Sequence, residues 1–242
     1  SINMFMYQLF PNPELRSYMW EHLSSVLLGK NTNQTFNIYT GRGRNGKSKL
    51  VELMSMVLGD YKATVPITLI TQKRGSIGGT SSEIVQLMGV RYAVMQEPSV
   101  GDVINEGIMK EITGGDPIQG RALFKDAVTF IPQFKLVVCT NHLFDIKSND
   151  DGTWRRIRVC DFMSLFTENP IDGDEEKPYQ FIVDKNIDVK FEEWKTVFIA
   201  MLVDKAMKTK GEVKDCDIVC AKSQLYRETQ DHFAEYIRDN IK

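Results

Sequence analysis

Apolar and polar positions change period on either side of one glycine-rich stretch. Phe36, Ile38 and Thr40 alternate along TFNIYT, and this period of two predicts a strand. Beyond the glycines, apolar residues follow at helical spacing, which predicts a helix with one apolar face: Leu50, Leu53, Met54, Val57 and Leu58. The stretch from Thr35 to Tyr61 is therefore predicted as strand, loop and helix in direct succession.

Helical spacing also marks both ends of the chain. Residues 5–28 are mostly helical in pattern, with Pro11 and Pro13 interrupting them and Gly29 as a C-cap. His22 lies on the apolar face of this segment, where we interpret it as an ordinary surface or core residue. Near the other end, a stripe is predicted to face the core: Phe191, Trp194, Val197, Phe198, Met201 and Leu202. Residues 223–242 are predicted as a final helix.

Extended segments fill the middle of the chain. The run PITLIT predicts a strand before a Gly/Ser/Thr-rich loop that carries Lys73 and Arg74, which we interpret as solvated. VRYAVMQ predicts a buried parallel strand that ends at Glu97, and FKLVVC predicts a second one that ends at Asn141. Between them, a short helix ends at Gly114, and two extended runs meet in a hairpin whose tip is Lys125 and Asp126.

Composition narrows the class without deciding the function. The 242 residues are 42% hydrophobic, enough for one α/β core with a helical appendage. A net charge of −2 argues against a broad basic face that coats nucleic acid, so any such contact must be local. The four cysteines suit reduced thiols. The sequence shows no signal peptide and no run of about 18 apolar residues, so neither secretion nor membrane insertion is indicated. The first residue is Ser1, and we expect a piece of something longer.

The glycine-rich stretch fits the pattern of a phosphate-binding loop, G-x-x-x-x-G-K-[ST]. Its glycines let backbone N–H groups curl around a phosphate, its lysine reaches the phosphate oxygens from a solvent-facing position, and its serine hydroxyl binds Mg²⁺. The following helix presents its N-terminus to the anion. The predicted ligands are ATP and Mg²⁺, and the predicted nucleotide-binding residues are Gly41, Arg42, Gly43, Arg44, Asn45, Gly46, Lys47, Ser48 and Lys49.

Polar residues at predicted strand ends supply the other candidate catalytic groups. Glu97 is the predicted base that activates water and, with Ser48, the predicted metal ligand. Gln96 occupies the place where an Asp commonly precedes such a Glu, so direct carboxylate ligation of Mg²⁺ stays open. Asn141 can hydrogen-bond both the attacking water and the γ-phosphate. Arg155 and Arg156 precede a strand, where a ring-forming hydrolase would carry an arginine finger for its neighbour.

Four segments in order resemble the superfamily 3 helicases, and among them the poxvirus-type primase-helicases of large nucleocytoplasmic DNA viruses. They are GRGRNGKS, VMQEP, KEITGGDPIQGR with LFKDAVTFIPQFKLVVCTN, and DGTWRRIRVCDF, which together cover about residues 35–165. The resemblance implies an α/β P-loop NTPase core, AAA+-like, with a central, mostly parallel sheet flanked by helices and short helical segments at both ends. It also implies a helicase that moves 3′ to 5′ on single-stranded DNA in viral genome replication.

Further expectations follow from the same resemblance. Lys47, Glu97 and Asn141 take catalytic roles, Arg155 or Arg156 is the arginine finger, and Lys125 touches DNA. The partners implied are single-stranded or forked DNA, a homo-hexameric ring, and a primase domain linked in the full-length protein, with no membrane. The implied location is the host cytoplasm or nucleus. The expected division is 1–33 as the end of a collar-like region, 34–210 as the ATPase core, and 211–242 as a helical lead into another domain.

Other classes of protein stay open at this point. A metabolic or signalling kinase also uses a phosphate loop, but a charged hairpin between its acid-bearing strands has no use there. A viral DNA-packaging or replication-initiator ATPase without strand-separating activity is closer, and stimulation by duplex instead of single-stranded DNA would distinguish it. A structural ring that only binds nucleotide is disfavoured because Lys47, Glu97 and Asn141 occur together.

Overall fold

The computed structural model describes residues 1–72, 80–96, 102–147 and 150–230. Its helices are α1 (Ile2–Leu9), α2 (Pro13–Ser25), α3 (Lys47–Leu58), α4 (Thr68–Thr71), α5 (Ser82–Val85), α6 (Glu106–Thr113), α7 (Asp151–Trp154), α8 (Ile187–Thr209) and α9 (Asp217–Gln230). Its strands are β1 (Phe36–Thr40), β2 (Lys62–Thr64), β3 (Tyr92–Gln96), β4 (Ile118–Arg121), β5 (Ala127–Phe130), β6 (Lys135–Cys139), β7 (Ile157–Asp161), β8 (Leu165–Thr167) and β9 (Gln180–Ile182).

One parallel sheet organises the molecule. Its strands lie in the order β2-β3-β6-β1-β7, so β1 pairs with β6 on one side and with β7 on the other. The register places Tyr39 beside Cys139 and beside Cys160. Because the strands are parallel, all their carboxyl ends lie at one edge of the sheet, and the segments that follow β1, β3 and β6 leave that same edge.

Helices cover both faces of this sheet, as the predicted α/β class requires. Every residue of β1 is buried, and successive side chains point to opposite faces. Tyr39 belongs to the apolar cluster formed with α1, α2, α3 and α8, whereas Phe36 and Ile38 belong to the cluster on the other face. That second cluster includes residues of α4, α5, α6, α7 and α9. The predicted fold, a mostly parallel central sheet flanked by helices, is confirmed.

The N-terminal helices pack onto the sheet through buried polar contacts as well as apolar ones. The Tyr18 hydroxyl donates to Asn37 Oδ1 at 2.9 Å, and His22 Nε2 lies 2.8 Å from the Tyr39 hydroxyl. His22 is 2% exposed, which confirms its interpretation as a core residue. Both helices share one apolar cluster with the phosphate-loop helix α3. The expected division of the chain at residues 33 and 210 stays a prediction.

Two local expectations are wrong. The segment predicted as a strand from PITLIT contains one turn of helix, α4, because the edge of the sheet is already occupied by β2, which pairs with β3. Leu69 N donates to Pro66 O at 3.1 Å as the chain turns there. In α8, Phe191, Phe198 and Leu202 are buried as predicted, but Val197 is 55% exposed because it lies off their stripe.

The final helix begins earlier than expected, at Asp217, and residues 231–242 lie outside the described part of the chain. Its buried residues Ser223 and Tyr226 hold it against the sheet and the loop after β6. Val159 N donates to Ser223 Oγ at 2.9 Å, and the Tyr226 hydroxyl donates to Phe144 O. Within the described ranges, none of the helices has both the length and the hydropathy needed to cross a bilayer.

Candidate nucleotide-binding site

The phosphate-loop prediction is matched by a strand, a loop and a helix at the expected positions. β1 ends at Thr40, the loop spans Gly41 to Gly46, and α3 begins at Lys47. Gly41 has φ +138° and Gly46 has φ +84°, a region that L side chains rarely adopt. A Cβ on Gly41 would lie 2.6 Å from Phe162 O, so this position requires glycine.

Lys47 is held at the carboxyl edge of the sheet by two acceptors. Its Nζ donates to Gly41 O at 2.8 Å and to Asn141 Oδ1 at 2.8 Å. Asn141 follows β6, the strand beside β1, so two residues far apart in sequence meet because their strands are neighbours. Lys47 is 7% exposed, which corrects the expectation that its side chain faces solvent.

Asn45 lines the inside of the loop and is 4% exposed. Its Oδ1 accepts from Lys47 N at 3.3 Å, and its buried Nδ2 has no hydrogen-bond partner among the described residues. A buried donor without a partner is costly, and an anionic oxygen in the loop would satisfy it. Together with the helix N-terminus and the Lys47 ammonium, this arrangement fits the phosphates of a nucleotide.

Of the two predicted metal ligands, Ser48 lies among the described residues and Glu97 does not. Ser48 is exposed in the first turn of α3, beside Lys47. Gln96 ends β3 and pairs with Cys139 of β6, which puts the end of β3 at the edge that carries Asn141. Glu97, Lys73 and Arg74 lie outside the described residues. The assignment of Glu97 as base and metal ligand, and of Ser48 as metal ligand, stays a prediction.

Arg155 and Arg156 lie at the opposite edge of the sheet from the phosphate loop. They precede β7, which runs parallel to β1 with Ile157 beside Phe36. The five residues of β1 separate the two edges by about 17 Å, at roughly 3.3 Å per residue. Neither arginine is therefore brought to Lys47 of the same chain. Both donate to Gln34 Oε1, from Arg155 Nη2 at 2.8 Å and from Arg156 Nη2 at 3.1 Å.

The two arginines differ in accessibility. Arg155 is exposed, whereas Arg156 is 8% exposed and its Nη1 also donates to Gly152 O at 2.6 Å. Burial, and then the neighbouring charge of Arg155, lowers the pKa of Arg156. Arg156 is thus built into the chain segment that leads to β7, while the guanidinium of Arg155 lies at the surface.

The predicted hairpin is present, with a longer tip than expected. β4 and β5 are antiparallel, and Arg121 pairs with Ala127 as the last pair before the turn. The tip contains Lys125, whose backbone N donates to Ala122 O at 3.2 Å and whose carbonyl accepts from Arg121 Nε at 3.2 Å. The tip end of β4 is held by the residue before α5, since Ser81 N donates to Arg121 O at 2.8 Å.

Sequence reasoning missed two features of these sites. Phe124 at the hairpin tip is 96% exposed and has φ +56°, and Leu123 beside it is 61% exposed. An aromatic residue next to the tip lysine was the available signal. Gly46 packs against Leu9 of α1 and Phe166 of β8, to which an added Cβ would lie 2.3 Å and 3.2 Å away. No local spacing in the sequence indicates these two long-range contacts.

Comparisons with known proteins support the viral resemblance. Residues 39–156 match the model of a family of unknown function, DUF5906. The chain is 37% identical to "Putative helicase L207/L206" of Acanthamoeba polyphaga mimivirus, over 100% of this chain and 26% of that protein. It is 28% identical to "Putative helicase 022R" of Frog virus 3, over 98% of this chain and 25% of that protein.

A third relative carries a different name. The chain is 28% identical to "Putative primase C962R" of African swine fever virus (isolate Warthog/Namibia/Wart80/1980), over 95% of this chain and 25% of that protein. The chain thus spans about a quarter of the length of these relatives. Similarity to proteins named as helicases and primases of large DNA viruses is confirmed, and the assignment to superfamily 3 stays a prediction.

Solved structures agree on the architecture. The structure described as "The apo structure of NrS-1 C terminal region (305-718)" superposes with a TM-score of 0.67 at 13% identity, over 98% of this chain and 53% of that chain. A second form, "The A form apo structure of NrS-1 C terminal region-CTR", gives a TM-score of 0.63 at 14% identity, over 99% of this chain and 56% of that chain. At this identity the likeness shows the fold alone.

Proposed function

We propose, from the similarity of this chain to viral proteins named as helicases and primases, that it is the ATP-driven motor of a DNA helicase that acts in viral genome replication. The motor hydrolyses ATP with Mg²⁺ and moves 3′ to 5′ on single-stranded DNA as a hexameric ring. In the full-length protein it is linked to a primase domain, in keeping with the African swine fever virus relative named as a primase. The site of action is the host cytoplasm or nucleus.

The observation that carries this proposal is the contact between Lys47 and Asn141. It joins the phosphate loop after β1 to the end of the neighbouring strand β6, with the ammonium 2.8 Å from the Asn141 amide oxygen. A phosphate oxygen entering the loop would compete with Asn141 for Lys47. Asn141 would then be released to orient a water molecule, so binding at the loop would be coupled to the strand edge. Orienting the attacking water beside the bound phosphates is a task that nucleotide hydrolases assign to a polar side chain.

The chain's own groups divide the chemistry among them. ATP would supply the phosphoanhydride bond that is cleaved, and Mg²⁺ would offset the charge of its phosphates. Backbone N–H groups of the loop and Lys47 would bind the phosphates, and the Ser48 hydroxyl would hold the metal. Glu97 follows the end of β3 directly and takes the proton from the attacking water. Asn141 holds that water in line with the bond.

The position of Arg155 supports a ring. Since the arginine lies at the sheet edge opposite its own loop, it can act on a nucleotide only across a subunit boundary, which requires head-to-tail assembly. Its exposure makes Arg155 the proposed arginine finger. Arg156 is buried and bonded to Gly152 and Gln34, so we assign it a structural role.

The hairpin tip supplies the proposed DNA contact. Phe124 offers an exposed aromatic face for stacking on a base, and Lys125 offers a charge for a phosphate. In a ring these two groups repeat around a single channel. Several such contacts can hold a single strand although the net charge of the chain is −2.

ATP hydrolysis by purified variants tests the proposal. Lys47→Ala should abolish hydrolysis, because it removes the charge that binds the phosphates. Asn141→Ala should retain ATP binding and lower kcat by on the order of 10²-fold, the cost of losing one positioned polar group. Lys208→Ala is the matched control, since this lysine of α8 lies in a surface ion pair with Asp204 at 2.6 Å. Parental turnover in Lys47→Ala would refute the assignment.

A further inference from the structure

A large pocket opens directly beside the phosphate loop. Its volume is about 1130 Å³, near the upper end of the range for sites that hold organic ligands. One side is made by Arg44, Gly46 and Lys49, which belong to the loop and to the first turn of α3. The remaining walls come from α1, from β8 and the residues after β9, and from the first two turns of α8.

The walls of this pocket are packed against the loop itself. Phe166 N of β8 donates to Arg44 O at 2.8 Å. Gly46 lies so close to Leu9 and Phe166 that there is no room for a Cβ, which would be 2.3 Å from Leu9 Cδ2. A molecule whose phosphates occupy the loop would therefore have its remaining part directed along these walls or into solvent.

The lining is largely apolar and aromatic, and its lysines lie in ion pairs. Met4, Phe5, Phe166, Ile182 and Trp194 contribute apolar surface. Lys49 Nζ lies 2.5 Å from Asp188 and 2.9 Å from Glu52, and Lys185 Nζ lies 2.6 Å from Glu168. These lysines carry their own counter-charges, so the part of the pocket away from Arg44 and the loop suits the uncharged portion of a ligand.

We infer that this pocket binds the nucleobase and ribose of the nucleoside triphosphate whose phosphates lie in the loop. The inference rests on the proposed function only in that a nucleotide binds there. Its consequence is that α1, within the segment expected to be part of a collar, forms one wall of the nucleotide site. Met4 and Phe5 of α1 face the base from one side and Ile182 from another.

Pocket-filling substitutions test the assignment, because they block the base and leave the loop intact. Met4 is 53% exposed and Ile182 is 68% exposed, so each accepts a larger side chain without disturbing the core. Met4→Trp and Ile182→Trp are the test variants, one from each wall. Met207→Trp is the matched control, since Met207 is 76% exposed on α8 and does not line the pocket. Circular dichroism and thermal unfolding verify that all three are folded.

Titration calorimetry with Mg²⁺ then measures the Kd of two ligands, ATP and inorganic triphosphate, for each variant. The pocket assignment predicts that Met4→Trp and Ile182→Trp raise the Kd of ATP about tenfold or more, which is a loss of about 1.4 kcal/mol, and leave that of triphosphate unchanged. Met207→Trp should change neither. Equal weakening of both ligands, or unchanged ATP binding in both pocket variants, would overturn the assignment. ATP that binds the parent with this pattern but is not hydrolysed would contradict the proposed function and leave the pocket assignment standing.

Discussion

The imidazole of His22 is buried against β1 in its neutral form, and its surroundings make the stability of the fold depend on pH. Burial, and then the positive charge of Lys135, lowers the pKa of His22 to about 3. In the unfolded chain the imidazole titrates near its ordinary pKa of about 6.5. The unfolded state therefore binds more protons between these values, and the free energy of unfolding decreases as the pH falls from about 6.5 toward 3.

The variant His22→Gln should reduce this pH dependence. Glutamine does not titrate and can still hydrogen-bond the Tyr39 hydroxyl. In the parent, by contrast, the histidine lowers the free energy of unfolding by up to about 1.4 kcal/mol for each pH unit below its unfolded pKa. Urea unfolding between pH 7.5 and 4.5 should show the parent losing stability faster than the variant. Parallel curves for the two proteins would mean that His22 charges as readily in the folded state as in the unfolded one.

At the residue scale, the loop and the start of α3 lie where the spacing of Gly41, Gly46 and Lys47 predicts them, because the turn and the helix start are both local structures. The burial of Lys47 and its bond to Asn141 depend on strand order, which spacing does not specify. Spacing likewise does not indicate that Arg156 is buried while Arg155 is exposed, although both arginines hydrogen-bond Gln34.

At the scale of elements, the antiparallel hairpin of β4 and β5 carries an aromatic side chain, Phe124, and a cationic one, Lys125, at its tip. The two side chains should contribute to DNA binding by different physical means. Base stacking is worth about 1–3 kcal/mol per base and does not depend strongly on salt. A phosphate contact contributes to the salt dependence, with a slope of about 0.7 per contact for single strands.

Phe124→Ala and Lys125→Ala should thus weaken single-stranded DNA binding in distinguishable ways, while basal ATP hydrolysis stays near the parental rate. Fluorescence anisotropy at several salt concentrations measures both effects. Phe124→Ala should raise the Kd at every salt concentration with an unchanged slope, and Lys125→Ala should reduce the slope. Tyr61→Ala, which removes an exposed aromatic residue elsewhere, is the control. Parental affinity and slope in both tip variants would exclude the hairpin as the DNA contact.

Element prediction from sequence was right where the pattern and the tertiary partners agree. β1, β3 and β6 read as buried strands because both of their faces are covered. The turn of helix α4 was read as a strand, since its apolar residues fit either structure and only the occupied sheet edge decides between them. The Gly46 contacts with α1 and β8, which define the pocket, join elements that no local pattern connects.

At the scale of the whole molecule, the proposed ring places the active site between subunits. Lys47 and Arg155 lie at opposite edges of one sheet, so the proposed site would combine the loop of one subunit with the arginine of the next. Mixing Arg155→Ala subunits with Lys47→Ala subunits should restore part of the hydrolysis that each variant lacks alone, because some boundaries then carry both groups. Loss of the finger by itself should cost about 10³ to 10⁵ in rate.

The same mixture with Arg156→Ala in place of Arg155→Ala is the control. Loss of a structural arginine should reduce the stability of each subunit that carries Arg156→Ala, which should appear as a lower unfolding temperature. Native mass spectrometry verifies that the subunits co-assemble. No recovery in co-assembled mixtures of Arg155→Ala and Lys47→Ala would mean that Arg155 does not act across a boundary.

Strand separation on forked DNA tests whether this chain is the motor of a 3′ to 5′ helicase. ATP hydrolysis and unwinding are measured together on forks with either a 3′ or a 5′ single-stranded tail, with Lys47→Ala as the inactive control. Single-stranded DNA should stimulate hydrolysis, and the parent should separate the fork with a 3′ tail only in the presence of ATP and Mg²⁺. Stimulation by duplex DNA with no strand separation on either fork would contradict the helicase assignment and would indicate a packaging or initiator ATPase.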